Sequence, residues 1–364
     1  MNKTIIEPGS INQVYDILFR IKAKKIFFIH RNNSFEKSGA KSKLKLIFEK
    51  FEVIEYYEFS LNPKLEDALA GQNLFIENKC DIILCVGGGS VIDMGKLIKY
   101  LLIKNKTYIN LIAVPTTAGT GSEATQFAVV YINGEKNSYE SKELLPNYSI
   151  IDSNLLIGQS KYQIAVSGID AFSQAIESMW SINSNSKSIN YAEEAIYLLW
   201  NNLQHAINGD ILSMQKISNA ANLAGKAINI TKTTAPHAFS YSFTSNFGLP
   251  HGHAVALFLP YFIHIHKQIN IENCMDKRGV SHVIKIMQRI AELIKADFNV
   301  LEFNVLEFIN NLGVSINFKN LGITFNDYSM NVKNVNMDRL KNNPLIISEK
   351  HYKLLYEYNN EFSI

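Results

Sequence analysis

A chain of 364 residues is long enough to form two domains, each with its own hydrophobic core. Hydrophobic residues make up 47% of it, which excludes a disordered or purely solvating role. The formal net charge is only +3 and no run of five or six basic residues occurs, so the charge pattern also argues against binding to DNA or RNA.

The sequence gives no indication of export or of membrane insertion. Its first residues lack the apolar segment of a signal peptide, and the longest apolar run, residues 254–263, contains a proline and is too short to span a bilayer. The three cysteines have no Cys-x-x-Cys spacing, so neither a disulfide framework nor a zinc–thiolate site is expected. We therefore expect a reduced, cytoplasmic protein.

In the first 155 residues, short β-branched and aromatic runs alternate with segments of helical periodicity. This alternation predicts a Rossmann-like parallel sheet covered by helices. Such sheets bind ligands at the carboxyl ends of their strands. Strands are expected at residues 25–30, 53–59, 82–86 and 110–114, and helices at 41–51, 64–79 and 90–104.

After Asp152 the strand signal fades and helical periodicity dominates. We therefore predict an α/β domain over residues 1–158 and an all-α helical bundle over residues 159–364, with the active site in the cleft between them. The helices of the second domain are expected at residues 167–180, 189–207, 213–228, 237–247 and 280–295.

A glycine-rich turn follows the strand predicted at residues 82–86. Gly87, Gly88 and Gly89 precede Ser90 and a helix that carries Asp93 and Lys96. Glycines let the backbone approach a pyrophosphate closely, and the helix N-terminus supplies N–H groups and a positive dipole end. The spacing matches neither a P-loop nor Gly-x-Gly-x-x-Gly, and a purely structural tight turn is the alternative.

A second polar loop, residues 115–123, follows the next predicted strand. It holds two glycines together with Thr116, Thr117 and Thr120. A single loop of this kind is usually only a turn. Two of them at neighbouring strand ends indicate a nucleotide site.

Four polar residues of the second half form a candidate metal site. Asp170 and Gln174 are four residues apart on a predicted helix and therefore share a face, on which Glu177 also lies. His237 and His251 can complete a set of four ligands. The alternatives are that Ser167 and Asp170 form a capping box at a helix N-terminus, and that the histidines are ordinary surface or core residues.

Together these motifs resemble the iron-containing (group III) alcohol dehydrogenases over residues 5–345. The resemblance implies the dehydroquinate synthase-like fold of that family, reversible hydride transfer between alcohol and aldehyde, and a homodimer or larger homo-oligomer. It implies that NAD(P)H binds through Gly87, Gly88, Gly89, Ser90 and Asp93 at the pyrophosphate and Thr116, Thr117 and Thr120 on the nicotinamide side. It places Asp170, Gln174, His237 and His251 at the four metal-ligand positions.

Two residues depart from the family pattern. Gln174 stands where the family normally has histidine, and its neutral oxygen should bind a transition metal more weakly than imidazole does. Fe²⁺ is the expected ion, with Zn²⁺ as the alternative. Tyr241 stands where many members have a histidine, and either proton relay or packing would explain it. His253 is expected to line the cleft.

The segment before His237 bears on the substrate. It brings Lys232, Thr233 and Thr234 within one turn of a metal ligand, and cationic and hydroxyl donors suit a tetrahedral oxyanion. An ordinary polar loop between helices is the alternative. Together with Gln174 and residues 221–226, the segment is similar to the phosphonoacetaldehyde reductase branch of the family, to which sulfoacetaldehyde reductases are related. The resemblance therefore implies a small anionic two-carbon aldehyde as substrate.

Cofactor choice and activity leave further alternatives open. Arg31, and no acidic residue, follows the strand that ends at His30, so the 2′-phosphate of NADPH is tolerated as well as NADH. A general alcohol or polyol dehydrogenase, or a sugar-phosphate cyclase, would share the fold. A catalytically silent NAD-binding protein is a third hypothesis, against which the intact Asp170, His237 and His251 argue.

Overall fold

The computed structural model describes residues 2–361 except 106, 134, 334 and 336. It divides into two compact units, Met1–Ser160 with Gly209–Gly225, and Lys161–Asn208 with Lys226–Ile364. The division expected between residues 158 and 159 assigned Gly209–Gly225 to the helical domain. This segment instead groups with the first unit, where a Cβ on Gly225 would lie only 2.7 Å from the carbonyl oxygen of Gly121.

A six-stranded sheet forms the centre of the first unit, and all of its strand pairs are parallel, in the order β1-β8-β5-β4-β2-β3. The remaining two strands form a separate antiparallel pair. The strands are β1 Lys3–Ile6, β2 Lys25–His30, β3 Glu52–Tyr56, β4 Ile82–Gly87, β5 Asn110–Pro115, β6 Phe127–Ile132, β7 Glu135–Glu140 and β8 Tyr148–Ile151.

Both faces of this sheet are buried. Phe27 and Ile29 of β2 pack into one hydrophobic cluster, whereas Ile26 and Phe28 pack into the cluster on the opposite face. A strand that is buried on both faces needs an unbroken apolar run, which is the pattern of Lys25–His30. The parallel sheet predicted from the sequence is therefore confirmed.

Helices cover the sheet and form the second unit. None of those described is long and apolar enough to cross a membrane. They are α1 Gln13–Arg20, α2 Asn32–Lys37, α3 Ala40–Lys43, α4 Lys45–Lys50, α5 Leu65–Glu77, α6 Gly89–Lys104, α7 Lys161–Trp180, α8 Ser186–Ile207, α9 Ile211–Thr231, α10 Ala235–Phe247, α11 His251–Ala256, α12 Leu259–His266, α13 Val280–Leu293, α14 Leu301–Asn311, α15 Phe325–Val332, α16 Met337–Leu340 and α17 Glu349–Glu361.

The predicted helices differ most from the structure at two places. The single helix expected over residues 41–51 is wrong, because α3 and α4 are separate short helices there and Leu44 between them leaves the helical conformation. The helix expected at residues 167–180 begins six residues earlier, at Lys161. Ser167 and Asp170 therefore lie inside α7, which excludes the capping-box interpretation of Asp170.

Helix α7 is the central helix of the second unit. Every residue from Ile164 to Trp180 is buried. Its polar residues Asp170, Gln174 and Glu177 are consequently removed from water, and buried polar groups need partners within the protein or a bound ligand.

Candidate active site

Three residues of the second unit converge on one point. Asp170 lies on α7, His237 lies in the first turn of α10, and His251 begins α11. One potential ligand atom from each lies within 4.8 Å of the other two. Asp170 and His237 are each 3% exposed, whereas His251 is half-buried. The structure therefore brings together the carboxylate and both imidazoles that the sequence singled out.

Gly252 explains why α11 can bring His251 so close to α7. A Cβ at this position would overlap the carbonyl oxygen of Val166 and would lie 3.0 Å from the Cβ of Asp170. The backbone of α11 thus rests directly on the backbone of α7, which only glycine allows. Gly252, the residue after His251, therefore allows His251 to lie close to Asp170.

We expect Gly252→Ala to damage the site and the fold together. Because the obstacle is a backbone oxygen, α11 must move away, which should destabilise the protein by about 1–3 kcal/mol and weaken metal binding at least about tenfold. Urea unfolding and metal titration measure the two effects. Gly322→Ala, at a glycine with open space around it but a φ of +70°, is the control, because it should lose stability through backbone strain and keep its metal affinity. Unchanged metal affinity in Gly252→Ala would contradict this role.

Hydrogen bonds favour the charged form of Asp170. Burial opposes ionisation, but a hydrogen bond with His237, the positive charges of His251 and His237, and a hydrogen bond with Gln174 outweigh it and lower the pKa of Asp170. The Nε2 atom of His237 is 3.2 Å from Oδ1 of Asp170. Gln174, only 4% exposed and one turn further along α7, thus contacts the carboxylate of the cluster.

The charge state of His237 follows from its two carboxylate neighbours. Burial favours the neutral ring, but Glu177 and Asp170 outweigh it and raise the pKa of His237 to about 10. An imidazolium between two carboxylates marks a place where positive charge is stabilised. A divalent cation would take the place of the Nε2 proton.

The donor set fits a divalent transition metal. One ionised carboxylate and two imidazoles are ligands that Fe²⁺ and Zn²⁺ share, and three protein ligands leave coordination positions for a substrate. Gln174 lies beside this set as the proposed fourth donor.

Glu177 is the residue that sequence reasoning placed on this face without giving it a role. It is fully buried, and its Oε1 accepts a hydrogen bond from Nδ1 of His237. Its Oε2 accepts hydrogen bonds from the amide of Thr234 at 2.7 Å and from the hydroxyl of Thr234 at 2.9 Å. The spacing of seven residues from Asp170, two helical turns, was the signal available in the sequence.

The loop before α10 carries the three predicted substrate residues. Lys232 is half-buried, Thr233 is 6% exposed and Thr234 is fully buried. The hydroxyl of Thr234 donates to Glu177 and accepts from Nε1 of Trp180 at 2.7 Å. The side chain of Thr234 is therefore engaged in contacts within the protein.

Tyr241 and His253 have different surroundings. The Tyr241 ring stacks against the ring of His251, with centroids 5.9 Å apart, and therefore lies beside the group formed by Asp170, His237 and His251. The Nε2 atom of His253 donates to the carbonyl oxygen of Ser315 at 2.7 Å, and its Nδ1 accepts from the hydroxyl of Tyr162 at 2.6 Å. Both ring nitrogens of His253 thus hold neighbouring segments together.

In the first unit, the structure places the two polar loops side by side. Gly87 at the end of β4 pairs in register with Pro115 at the end of β5. Gly88 precedes α6, and a Cβ on Gly89 would lie 2.7 Å from the hydroxyl oxygen of Thr120. A side chain at Gly89 would therefore force Thr120 to shift. The N-terminus of the 16-residue helix α6 lies at the carboxyl ends of the strands.

The other loop residues lie around this turn. The amide of Thr116 donates to the carbonyl oxygen of Gly87 at 3.0 Å. Thr116 is 2% exposed, whereas Ser90, Thr117 and Thr120 are half-buried.

Asp93 and Lys96 connect α6 to the second loop. The Asp93 carboxylate accepts hydrogen bonds from the hydroxyl of Ser122 and from the amide of Val129. The fully buried Lys96 ammonium donates to Ser122 and Thr125 and to the carbonyl oxygen of Phe127, at 2.9–3.0 Å. Asp93, expected beside the pyrophosphate, thus holds the second loop against α6.

The buried Lys96 should make stability rise with pH. Burial, opposed by Asp93 and Glu123, lowers its pKa from 10.5 to about 8. Between pH 8 and pH 10.5 the unfolded chain therefore binds the lysine proton and the folded chain does not, so the free energy of unfolding rises with pH. From pH 7.5 to 9.5 we expect this gain to be about 1–2 kcal/mol larger in the wild type than in Lys96→Met. Urea unfolding at both pH values checks it, and equal gains would refute it.

Arg31 lies next to the glycine turn. It follows β2, whose last residue His30 pairs with Val86 immediately before Gly87. The Arg31 guanidinium donates to the carbonyl oxygen of Phe59 at 2.8 Å and lies 5.5 Å from the centre of the Phe59 ring.

Comparison with protein families agrees with this architecture. Residues 2–153 match the model of the iron-containing alcohol dehydrogenases, and residues 164–359 match the C-terminal domain of the Fe-containing alcohol dehydrogenase family. The chain belongs to the iron-containing alcohol dehydrogenase family, which confirms the resemblance seen in its motifs.

Individual relatives show the range of the family. The chain is 29% identical to a phosphonoacetaldehyde reductase from Streptomyces viridochromogenes, over 58% of this chain and 60% of that protein. It is 28% identical to aldehyde-alcohol dehydrogenase 2 of Entamoeba histolytica, of which it spans only 34%. It is 26% identical to long-chain-alcohol dehydrogenase 1 of Geobacillus thermodenitrificans, over 96% of this chain and 93% of that protein.

A solved structure shares the whole fold. Sulfoacetaldehyde reductase from Bifidobacterium kashiwanohense, in complex with NAD⁺, superposes with a TM-score of 0.87. The two are 26% identical, and the match covers 99% of this chain and 97% of that one. The predicted fold is thereby confirmed.

Proposed function

We propose that this protein catalyses the metal-dependent, NAD(P)H-linked reduction of a small aldehyde to its alcohol. The convergence of Asp170, His237 and His251 within 4.8 Å carries the proposal. It occurs in a chain whose family is iron-containing, and a similar solved structure binds NAD⁺.

Each part of the reaction is assigned to its own residues. When bound, the cation supplies Lewis acidity towards the carbonyl oxygen and the nicotinamide supplies the hydride. Asp170, His237 and His251 would hold the cation. Tyr241, whose ring lies on that of His251, is the candidate for delivering a proton to the product oxygen.

The glycine turn would hold the cofactor. Residues 87–90 and the N-terminus of α6 offer backbone N–H groups and a positive dipole end to the pyrophosphate. The nicotinamide side would be contacted by Thr116, Thr117 and Thr120. When NADPH is bound, the guanidinium of Arg31 would donate hydrogen bonds to its 2′-phosphate.

Gln174 is proposed as the fourth ligand. The NH₂ group of Gln174 can donate a hydrogen bond to the Asp170 carboxylate, and its carbonyl oxygen would then be available to a bound cation. Because that oxygen is neutral, it leaves the charge of the site unchanged and should weaken the binding of Fe²⁺ relative to a histidine.

We further propose an anionic two-carbon aldehyde, such as phosphonoacetaldehyde or sulfoacetaldehyde, as substrate. Lys232 and Thr233 supply a cation and a hydroxyl in the loop before α10, five and four residues before the proposed metal ligand His237. Lys232 has a left-handed backbone conformation, but so do Lys22, Lys79 and Lys295, so this conformation is no evidence for a role in substrate binding. The proposal is supported by the position of Lys232 close to His237 in the chain. The names of two relatives, phosphonoacetaldehyde reductase and sulfoacetaldehyde reductase, agree with this choice.

A general alcohol dehydrogenase is the second candidate. The match to long-chain-alcohol dehydrogenase 1 covers 96% of this chain, more than the match to phosphonoacetaldehyde reductase does. Neutral substrates would then be preferred.

One experiment separates the candidates. Elemental analysis of the purified protein is combined with NADH and NADPH oxidation in the presence of phosphonoacetaldehyde, sulfoacetaldehyde and neutral aldehydes of similar length. The proposal expects bound metal and the highest kcat/KM with an anionic aldehyde. A preference for neutral aldehydes would favour the general alcohol dehydrogenase, and no turnover of any aldehyde would refute both.

A further inference from the structure

We propose that Glu177 is a positioning residue that orients the metal ligand His237 in two ways, through the ring of His237 and through Thr234, which precedes the helix that carries His237. The inference rests on the proposed metal-dependent function. Glu177 lies on α7 seven residues after Asp170, so that one helix supplies both a ligand and the support for a second ligand.

The first contact fixes the tautomer of His237. A neutral imidazole carries one N–H, and an ionised carboxylate can only accept hydrogen bonds. With Oε1 of Glu177 at Nδ1 of His237, the proton resides on Nδ1. The Nε2 atom lies 3.2 Å from Oδ1 of Asp170, so when a cation replaces the Nε2 proton, the freed lone pair would face that cation while Nδ1 keeps its proton.

The second contact fixes the helix that carries His237. Thr234 precedes α10, and its own side chain makes no capping hydrogen bond to the helix. Instead, Oε2 of Glu177 accepts from both the amide and the hydroxyl of Thr234. A negative charge at a helix N-terminus is favourable, and here it holds the first turn of α10 in place.

One buried carboxylate therefore joins three groups: the ring of His237 and the amide and hydroxyl of Thr234. Trp180 lies three residues after Glu177 on α7, and its Nε1 donates to the hydroxyl of Thr234 as well. Two residues of α7 therefore hold the side chain of Thr234. Thr234 follows Lys232 and Thr233 in the same loop. Glu177 therefore connects the loop proposed to bind the substrate with the proposed metal ligand His237.

Glu177→Gln tests the role with minimal change of shape. The amide replaces one acceptor oxygen by an NH₂ donor, which must oppose either the Nδ1–H of His237 or the N–H of Thr234. We expect the affinity of the metal-free protein for Zn²⁺ to fall about 10–100-fold in calorimetric titration, and the visible spectrum of the Co²⁺ form to change. These readouts do not depend on turnover.

Glu302→Gln is the matched control. Glu302 is likewise a buried glutamate of the second unit, 2% exposed, but it pairs with His264 and Lys267 and not with the metal cluster. Both variants should lose stability, whereas only Glu177→Gln should lose metal affinity. Glu177→Asp, which keeps the charge on a shorter side chain, should recover part of the affinity and replaces Glu177→Gln if that variant does not fold.

Each outcome decides the inference. Wild-type Zn²⁺ affinity and an unchanged Co²⁺ spectrum in Glu177→Gln, or in Glu177→Asp if only that variant folds, would overturn the role of Glu177 while leaving the proposed function intact. Equal losses in Glu177→Gln and Glu302→Gln would also overturn it, because the effect would then be one of stability. Wild-type protein that binds neither Zn²⁺ nor Co²⁺ would overturn the proposed function itself.

Discussion

Replacing His251 by alanine should abolish metal binding and lower kcat/KM for aldehyde reduction by at least about 10³, which corresponds to about 4 kcal/mol of transition-state stabilisation. His251 is the most informative ligand to remove because it is half-buried and begins a short helix. Removing His237 would instead take from the buried carboxylates of Asp170 and Glu177 the imidazole that lies between them, which is itself destabilising by several kcal/mol. Metal content and steady-state kinetics of the purified variant measure the effect.

Two comparisons isolate the metal as the cause. His205→Ala, at an exposed histidine of α8, should retain both metal and activity. Gln174→His should bind Zn²⁺ more tightly than the wild type, since imidazole is the stronger ligand. The hypothesis fails if exhaustive chelation leaves the activity of the wild-type protein unchanged.

Replacing Lys232 by alanine should raise KM for phosphonoacetaldehyde or sulfoacetaldehyde about 10–100-fold. A hydrogen bond to a charged group contributes about 1.5–3 kcal/mol, which is that range in affinity. A neutral aldehyde of similar length makes no such bond, so its KM should change less than about threefold. Steady-state kinetics with both substrates give the ratio directly.

Lys295→Ala is the matched control for this experiment. Lys295 is exposed and has the same left-handed backbone conformation as Lys232, but it follows α13, away from the metal ligands in the chain. Its removal should affect neither substrate. An equal rise in KM for anionic and neutral aldehydes in Lys232→Ala would rule out recognition of the anion by this side chain.

The regular elements could be predicted where the apolar pattern was long or fully buried. Strand β2 was predicted with the observed bounds because burial on both sheet faces demands a continuous apolar run. Strand β1, with four residues and only partial burial at the sheet edge, offered no comparable signal. The short helices α3 and α4 were merged into one because their shared periodicity did not reveal the break at Leu44.

The contacts of Asp93 and Lys96 near the candidate cofactor loops could not be predicted from local sequence patterns. The sequence placed Asp93 near the pyrophosphate, yet its carboxylate bonds to Ser122 and Val129. Lys96 had no assigned role, although its ammonium donates to Ser122 of the second loop and to Thr125 and Phe127 just after that loop. These partners are 26–36 residues away in the chain, and only the packing of α6 against that loop brings them together.

The sequence by itself determined the class of fold, the two glycine-containing loops and the three residues of the candidate metal site, because short motifs and periodicity encode them locally. Only the tertiary structure decided how the triad is supported. Glu177 meets Thr234 and His237 across 57 and 60 residues of chain, and Gly252 meets Val166 where α11 rests on α7. Such contacts depend on the approach of distant backbones, which residue spacing does not specify.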